Sequence, residues 1–227
     1  MTHETGAAEL RLSPLEARVL GVLVEKQLTV PDTYPLTLNA LLAGCNQKTS
    51  REPVMNVGEG EAQMALDELR ARTLVIDSYG ASGRVMRYAH NLDRVLKISP
   101  PVLALLTALM LRGPQTPGEL RAAADRFYKF PDISSLEAYL EEMASRSSGA
   151  LALKLARQPG AREARWAHLL CGEPAIDAAP RADADDGVTT GELAAVKANV
   201  TRLHGEVAEL RALVERLYAE LGVSRET

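Results

Sequence analysis

The segment Arg84-Val-Met-Arg87-Tyr88-Ala89-His90 returns in the second half of the chain as Arg162-Glu-Ala-Arg165-Trp166-Ala167-His168. Both arginines, the aromatic, the alanine and the histidine fall in register. Leu74-Val-Ile76 and Leu151-Ala-Leu153 correspond at nearly the same offset, and Ser13-Pro14 corresponds to Ser99-Pro100 further upstream. Loops of unequal length account for the drift. A self-similar unit of about 80 residues has the size of a small domain. The 227-residue chain is therefore expected to hold two copies of one fold, each burying its own core, plus an appendage.

Each copy has the same order of elements. Ser13-Pro14-x-Glu16 is a capping box with proline at the first helical position, and it opens a helix with the apolar stripe Leu15, Val19, Val22, Leu23. Pro31 and Pro35 punctuate the loop that follows. Leu38, Leu41, Leu42 and Cys45 space out a second helix, and Ala62, Ala65, Leu66 and Leu69 a third. Leu74 to Tyr79 and Arg84 to His90 read as a hairpin across Gly80-Ala-Ser-Gly83. In the second copy Ser99-Pro100 starts a helix bearing Val102, Leu105, Leu106 and Leu109, which Gly113-Pro114 stops. Thr116-Pro117-x-Glu119 caps a helix with Leu120, Ala123, Ala124 and Phe127. Ser134-x-x-Glu137 caps one with Leu136, Tyr139, Leu140 and Met143. Leu151 to Arg157 and Arg162 to Leu169 form the second hairpin. Three helices followed by a two-stranded hairpin is the winged helix-turn-helix plan. The expected class is mainly α with small β-hairpins: winged-helix domains over 12–92 and 93–172, an acidic linker over 173–188, and a coiled-coil helix over 189–222.

That last helix follows the cap Thr189-x-x-Glu192. Its apolar positions are Leu193, Val196, Val200, Leu203, Val207, Leu210, Val214, Leu217 and Leu221, spaced alternately by 3 and 4. With Leu193 at a heptad a position, Val200, Val207 and Val214 occupy a and Leu203, Leu210 and Leu217 occupy d, the pattern of a parallel dimer. Glu206 at g faces Arg211 at e of such a partner. A homodimer is expected through Val196, Val200, Leu203, Val207, Leu210, Val214 and Leu217. The alternative is an amphipathic helix folded back on its own chain.

Composition excludes several classes. No apolar run approaches the ~18 residues that span a bilayer, and the polar Met1 to Leu10 does not read as a signal peptide, so no membrane partner is expected. Cys45 and Cys171 stand far apart with no metal-ligand spacing, which points to free thiols in a reducing cytoplasm. Neither a metal nor a cofactor is expected. His90 and His168 lack a catalytic partner motif and read as structural, and no Gly-rich phosphate loop is present, so the chain does not read as an enzyme. The net charge of −4 is uneven: residues 1–92 carry 9 basic and 11 acidic groups, residues 93–172 carry 11 and 8, and residues 173–227 carry 6 and 11. No overall basic footprint announces nucleic acid.

Tyr34-Pro-Leu-Thr-Leu-Asn-Ala-Leu41, Asn46-Gln-Lys-Thr-Ser-Arg-Glu-Pro-Val-Met55 and Arg165-Trp-Ala-His-Leu-Leu-Cys-Gly172 together resemble the YceH-like family of uncharacterised bacterial proteins. The likeness covers about residues 12–172 and implies a tandem winged-helix fold in a bacterial cytoplasm. It implies no established activity.

The candidate contacts follow from the helix-turn-helix reading. The turn between the second and third helices faces the phosphate backbone in that motif. Lys48 and Arg51 are candidate phosphate ligands there, with Asn46, Gln47, Thr49 and Ser50 as neutral donors. The competing reading is a loop pinned by its own hydrogen bonds, with Arg51 paired to Glu52 or Glu25. Arg84 and Arg162 on the hairpins are further candidates. Arg87 and Arg165 read instead as scaffold residues paired to helix carboxylates. The third helices argue against base readout, since Glu59, Glu61, Asp67 and Glu68 lie on one and Asp132, Glu137, Glu141 and Glu142 on the other. Two functions stay open: a DNA-binding regulator, and a protein–protein adaptor.

Overall fold

The Ser13 amide donates to Glu16 Oε2 at 2.6 Å and the Glu16 amide donates to Ser13 Oγ at 3.2 Å, so this reciprocal cap starts the first helix where the sequence places it. The computed structural model describes residues 10–79 and 85–174. Among them are seven α-helices and two two-stranded antiparallel sheets. In chain order these are α1 (Pro14–Thr29), α2 (Leu38–Cys45), α3 (Glu59–Ala71), β1 (Val75–Tyr79), β2 (Met86–His90), α4 (Leu92–Leu96), α5 (Pro100–Arg112), α6 (Pro117–Ala124), α7 (Ile133–Ala144), β3 (Ala152–Lys154) and β4 (Trp166–His168). Arg84, most of the linker and every heptad position of the expected coiled coil lie outside the described residues.

The repeat is visible in the backbone. Val75 pairs with His90 and Tyr79 with Met86 in the first hairpin; Ala152 pairs with His168 and Lys154 with Trp166 in the second. In each half one residue between the first two helices joins the return strand. Leu36 exchanges backbone hydrogen bonds with Tyr88 at 3.1 and 2.8 Å, and Gln115 does the same with Trp166 at 3.0 and 2.7 Å. These bridges tie the hairpin to the helices and sink the aromatics Tyr88 and Trp166 into the core.

Several boundaries differ from the sequence reading. Ser134 does not cap α7. Asp132 does, its carboxylate accepting from both the amide and the hydroxyl of Ser135 at 2.7 Å, so Ser134 falls in the first turn. α6 ends at Ala124, before Phe127. The second hairpin pairs over three residues a side, with one further backbone bond from Leu155 N–H to Arg165 O at 2.8 Å, and Gln158-Pro159-Gly160-Ala161 forms the turn (Ala161 N–H to Gln158 O, 3.1 Å). The short α4 has no counterpart in the sequence reading; Lys97 in the left-handed region ends it.

The largest departure is the core. Val19, Leu20, Val22, Leu23 and Val24 of α1 are all fully buried, and the whole run Pro101–Leu111 of α5 is buried too. A helix apolar on every side has no solvent face. α1 and α5 pack on each other, and Gly21 permits the approach: a Cβ there would stand 2.9 Å from Leu111 Cδ2. The two halves consequently share one continuous hydrophobic cluster rather than burying separate cores. Each large side chain so buried contributes roughly 1.5–3 kcal/mol relative to exposure. Backbone bonds close the seam further, from Leu12 N–H to Leu170 O at 2.6 Å and from Glu52 N–H to Leu111 O at 2.8 Å.

Candidate functional site

Glu25 sits near the end of α1 with its side chain 1% exposed, and a lone carboxylate there would be costly. Arg51, from the turn between α2 and α3, compensates it with its own side chain fully buried. Its Nη1 donates to Glu25 Oε1 at 3.2 Å and to Ser50 O at 2.9 Å. Its Nη2 donates to Glu25 Oε2 and, at 2.6 Å, to Gln47 Oε1. Nε donates to Gly44 O at 3.0 Å. Every N–H of the guanidinium is thus used inside the protein. Burial pushes the Glu25 pKa up, but the hydrogen bond and charge of Arg51 outweigh it and the net shift is downward. Glu25 therefore stays ionised at neutral pH.

More cations surround that carboxylate. Arg126, from the turn between α6 and α7 in the other half, also donates to Glu25 Oε1, while resting over the Phe127 ring at 4.8 Å. Lys26 Nζ lies 3.4 Å from Glu25 Oε2. At the C-terminus of α5, Arg112 donates to Ser50 Oγ at 2.8 Å and has no carboxylate partner among the described residues. Burial lowers its pKa, and the positive charges of Arg126 and Arg51 lower it further. Arg18 is buried deeper and is held by the carbonyls of Cys45 (3.1 Å) and Pro53 (2.6 Å). The corresponding turns of both halves therefore meet at one point on the seam, with one carboxylate among Lys26, Arg51, Arg112 and Arg126.

The expected contact residues are thereby sorted. Arg51 is not a surface ligand; it takes the alternative role of pairing with Glu25, because the turn folds inward over α1. Gln47 orients it. The Asn46 side chain accepts from Val57 N–H at 2.7 Å and donates to Val57 O at 2.9 Å, which pins the loop. Ser50, at φ +60°, is half-buried under Arg112. Lys48 and Thr49 are exposed. Arg162 is exposed on the second hairpin and lies away from the 46–51 turn in sequence; no side-chain hydrogen bond or ion pair joins them among the described residues. Arg87 is a scaffold residue, but it pairs with a carbonyl, Pro35 O at 2.8 Å, rather than a carboxylate. Arg165 stands 3.7 Å from Glu119, as the scaffold reading expects. His90 is bound to Gln27 and accepts from Leu92 N–H at 3.3 Å. Arg112, Arg126 and Lys26 escape the sequence reading because they belong to three separate segments that only the seam brings together.

The family described as "Protein of unknown function, DUF480" matches residues 12–161. A UPF0502 protein of Burkholderia orbicola strain MC0-3 is 56% identical over 224 residues, covering 96% of this chain and 93% of its own. The chain belongs to the DUF480/UPF0502 family. A second UPF0502 protein, of Burkholderia cenocepacia strain J2315, is 54% identical over 228 residues, covering 98% of this chain and 94% of its own. One from Burkholderia pseudomallei strain K96243 is 58% identical over 188 residues, or 82% and 79% of the two chains. The resemblance to the YceH-like family is thus established, and the relatives are bacterial.

On this UPF0502 chain the remaining surface charge divides by element. Glu59, Glu61, Asp67 and Glu68 of α3 are exposed, and its Arg70 is occupied by Asp67 (3.2 Å) and Asp77 (2.9 Å). Glu141 and Glu142 expose the same sign on α7. The second hairpin is opposite in character: Lys154, Arg157, Arg162 and Arg165 are exposed with Glu163 the one carboxylate between them in the chain. Among the described residues no helix is long and apolar enough to cross a membrane.

Proposed function

We propose that this UPF0502 protein is a tandem winged-helix protein that binds DNA through phosphate contacts rather than base readout, as a non-enzymatic regulator in the bacterial cytoplasm. The twice-repeated order of helix, bridging residue, helix, turn, helix and hairpin supports the winged-helix reading. The observation that carries DNA over other ligands is the basic second hairpin, where Arg157 and Arg162 are exposed without an ion-pair partner among the described residues. A hairpin so placed is a wing, and wings reach a groove or backbone. The acidic exposed faces of α3 and α7 would repel phosphates and speak against helices inserted in the major groove. Fluorescence titration of a random-sequence duplex tests the reading. Affinity is expected to fall steeply as salt rises, with little preference among sequences, and no binding at low salt would end it.

Those same acidic faces favour a second reading, a protein adaptor that presents α3 and α7 to a basic partner. Charge reversal at Glu61 and Glu68 would then abolish partner binding while leaving the winged-helix body folded. In either case the heptad pattern of residues 193–221 supports a homodimer, for which sedimentation equilibrium should return the mass of two chains.

A further inference from the structure

We propose that the seam between the two repeats is a phosphate-binding site, in which Lys26, Arg112 and Arg126 hold oxyanions of a polynucleotide backbone. The inference rests on the DNA-binding reading for the source of the phosphate, but its chemistry rests on the seam alone. Arg51 neutralises Glu25 one for one and has no donor left. The charges of Lys26, Arg112 and Arg126 then have no second buried carboxylate to balance them. The other carboxylates on these segments, Glu52 and Asp125, are exposed and make no ion pair among the described residues. Gathering like charges in a partly buried place costs energy unless an anion joins them. Access is open: the side chain of Arg126 is 43% exposed and that of Lys26 22%.

Donor geometry fits the same ligand. Arg112 spends one bond on Ser50 Oγ and Arg126 one on Glu25 Oε1, so most of each guanidinium fork remains available for the bidentate pairing that phosphate oxygens accept. Two anchors supply rigidity. The Phe127 ring supports Arg126, and Ser50 supports Arg112. In a single helix-turn-helix the turn before the third helix lies against one phosphate strand. Here both turns of the chain contribute to one place, and the site is complete only when the repeats are fused.

The test compares the full-length chain with Arg112→Gln/Arg126→Gln, with the charge-preserving Arg112→Lys/Arg126→Lys, and with the wing variant Arg157→Gln. Two probes are used, a labelled random-sequence duplex and inorganic tripolyphosphate. Trp166 fluorescence verifies that each variant is folded. The glutamine pair should weaken duplex binding roughly 10- to 100-fold near 0.1 M salt and flatten the log K against log salt slope by about 2. It should also remove the rise in melting temperature that tripolyphosphate gives the unmodified chain. The lysine pair should keep the slope, and Arg157→Gln should flatten it while leaving the tripolyphosphate shift intact. A glutamine pair with unchanged slope and unchanged shift overturns the seam site while duplex binding itself stands. A chain that ignores the duplex yet loses its tripolyphosphate response in the glutamine pair keeps the site as a receptor for free phosphate and removes the DNA reading. If neither probe binds the unmodified chain, both are refuted.

Discussion

Replacing Glu25 by Gln removes one charge and almost no volume, so its cost measures the buried ion pair at the seam. The side chains of Glu25 and Arg51 are 1% and 0% exposed, and water cannot take over the role of the missing carboxylate. Breaking a buried pair by deleting one partner costs about 3–5 kcal/mol, because the surviving charge remains desolvated. For a body of this size each kcal/mol moves the melting temperature by about 2–4 °C, so the variant should melt roughly 6–20 °C lower. Differential scanning calorimetry at pH 7 gives the shift. Glu25→Leu/Arg51→Met should recover part of the loss, since it removes both charges together. The pH dependence carries a sign. With the folded pKa of Glu25 below its ordinary 4.5, the pair stabilises fully above that value, and its contribution disappears as pH falls through the folded pKa. The unmodified chain and the variant should therefore converge in acid. A variant melting within about 2 °C of the unmodified chain at pH 7 would refute the assignment of Glu25 as the keystone of the seam.

Gly44→Ala should destabilise by about 1–3 kcal/mol in urea titration, against the gain of under about 1 kcal/mol that alanine usually gives in a helix. The reason is that a Cβ would stand 2.5 Å from Val22 Cγ1, where α2 crosses α1. His168 should make the chain acid-sensitive: burial brings its pKa down to about 4 from 6.5, so stability is complete above 6.5 and drains as pH falls toward 4. The urea midpoint should drop between pH 7 and pH 5, and less so in His168→Asn. His90, lowered by burial against the opposing charge of Asp93, supplies the remainder of that slope. Burial pushes the Cys45 thiol up to about 11, so alkylation under native conditions at pH 8 should modify Cys171, which is partly exposed, and spare Cys45 until the chain is unfolded.

Elements whose signals are local are legible in the sequence. The boxes at Ser13 and Thr116 operate through hydrogen bonds within one turn, and both helices start where those residues stand. The internal repeat exposes the equivalence of Tyr88 and Trp166, which occupy the same bridged strand position. Ser134 misleads because Asp132, two residues earlier, accepts from the Ser135 amide and starts the helix ahead of it. The fused core is missed for a different reason. A single apolar stripe on α1 and on α5 satisfies the helical period, although Val19 to Val24 and Val102 to Leu111 are apolar almost without interruption, the mark of helices covered on every side. Within the site, Lys48 and Arg51 are both candidate phosphate ligands by sequence, and Lys48 is exposed on its turn. Arg51 is indistinguishable from it by type, and only the fold of the loop over Glu25 separates a buried structural arginine from an exposed one. Arg112 and Arg126 lie far along the chain from Arg51, and no spacing rule connects positions joined through tertiary packing.

The two repeats form one body around the α1–α5 seam, and hydrogen exchange during urea unfolding reads this directly. Peptides from α2 (Leu38–Cys45) and α7 (Ile133–Ala144), one in each half, should lose protection at the same urea concentration, because neither half can expose its face of the seam alone. Protection lost from one half at a denaturant concentration where the other remains fully protected would contradict it.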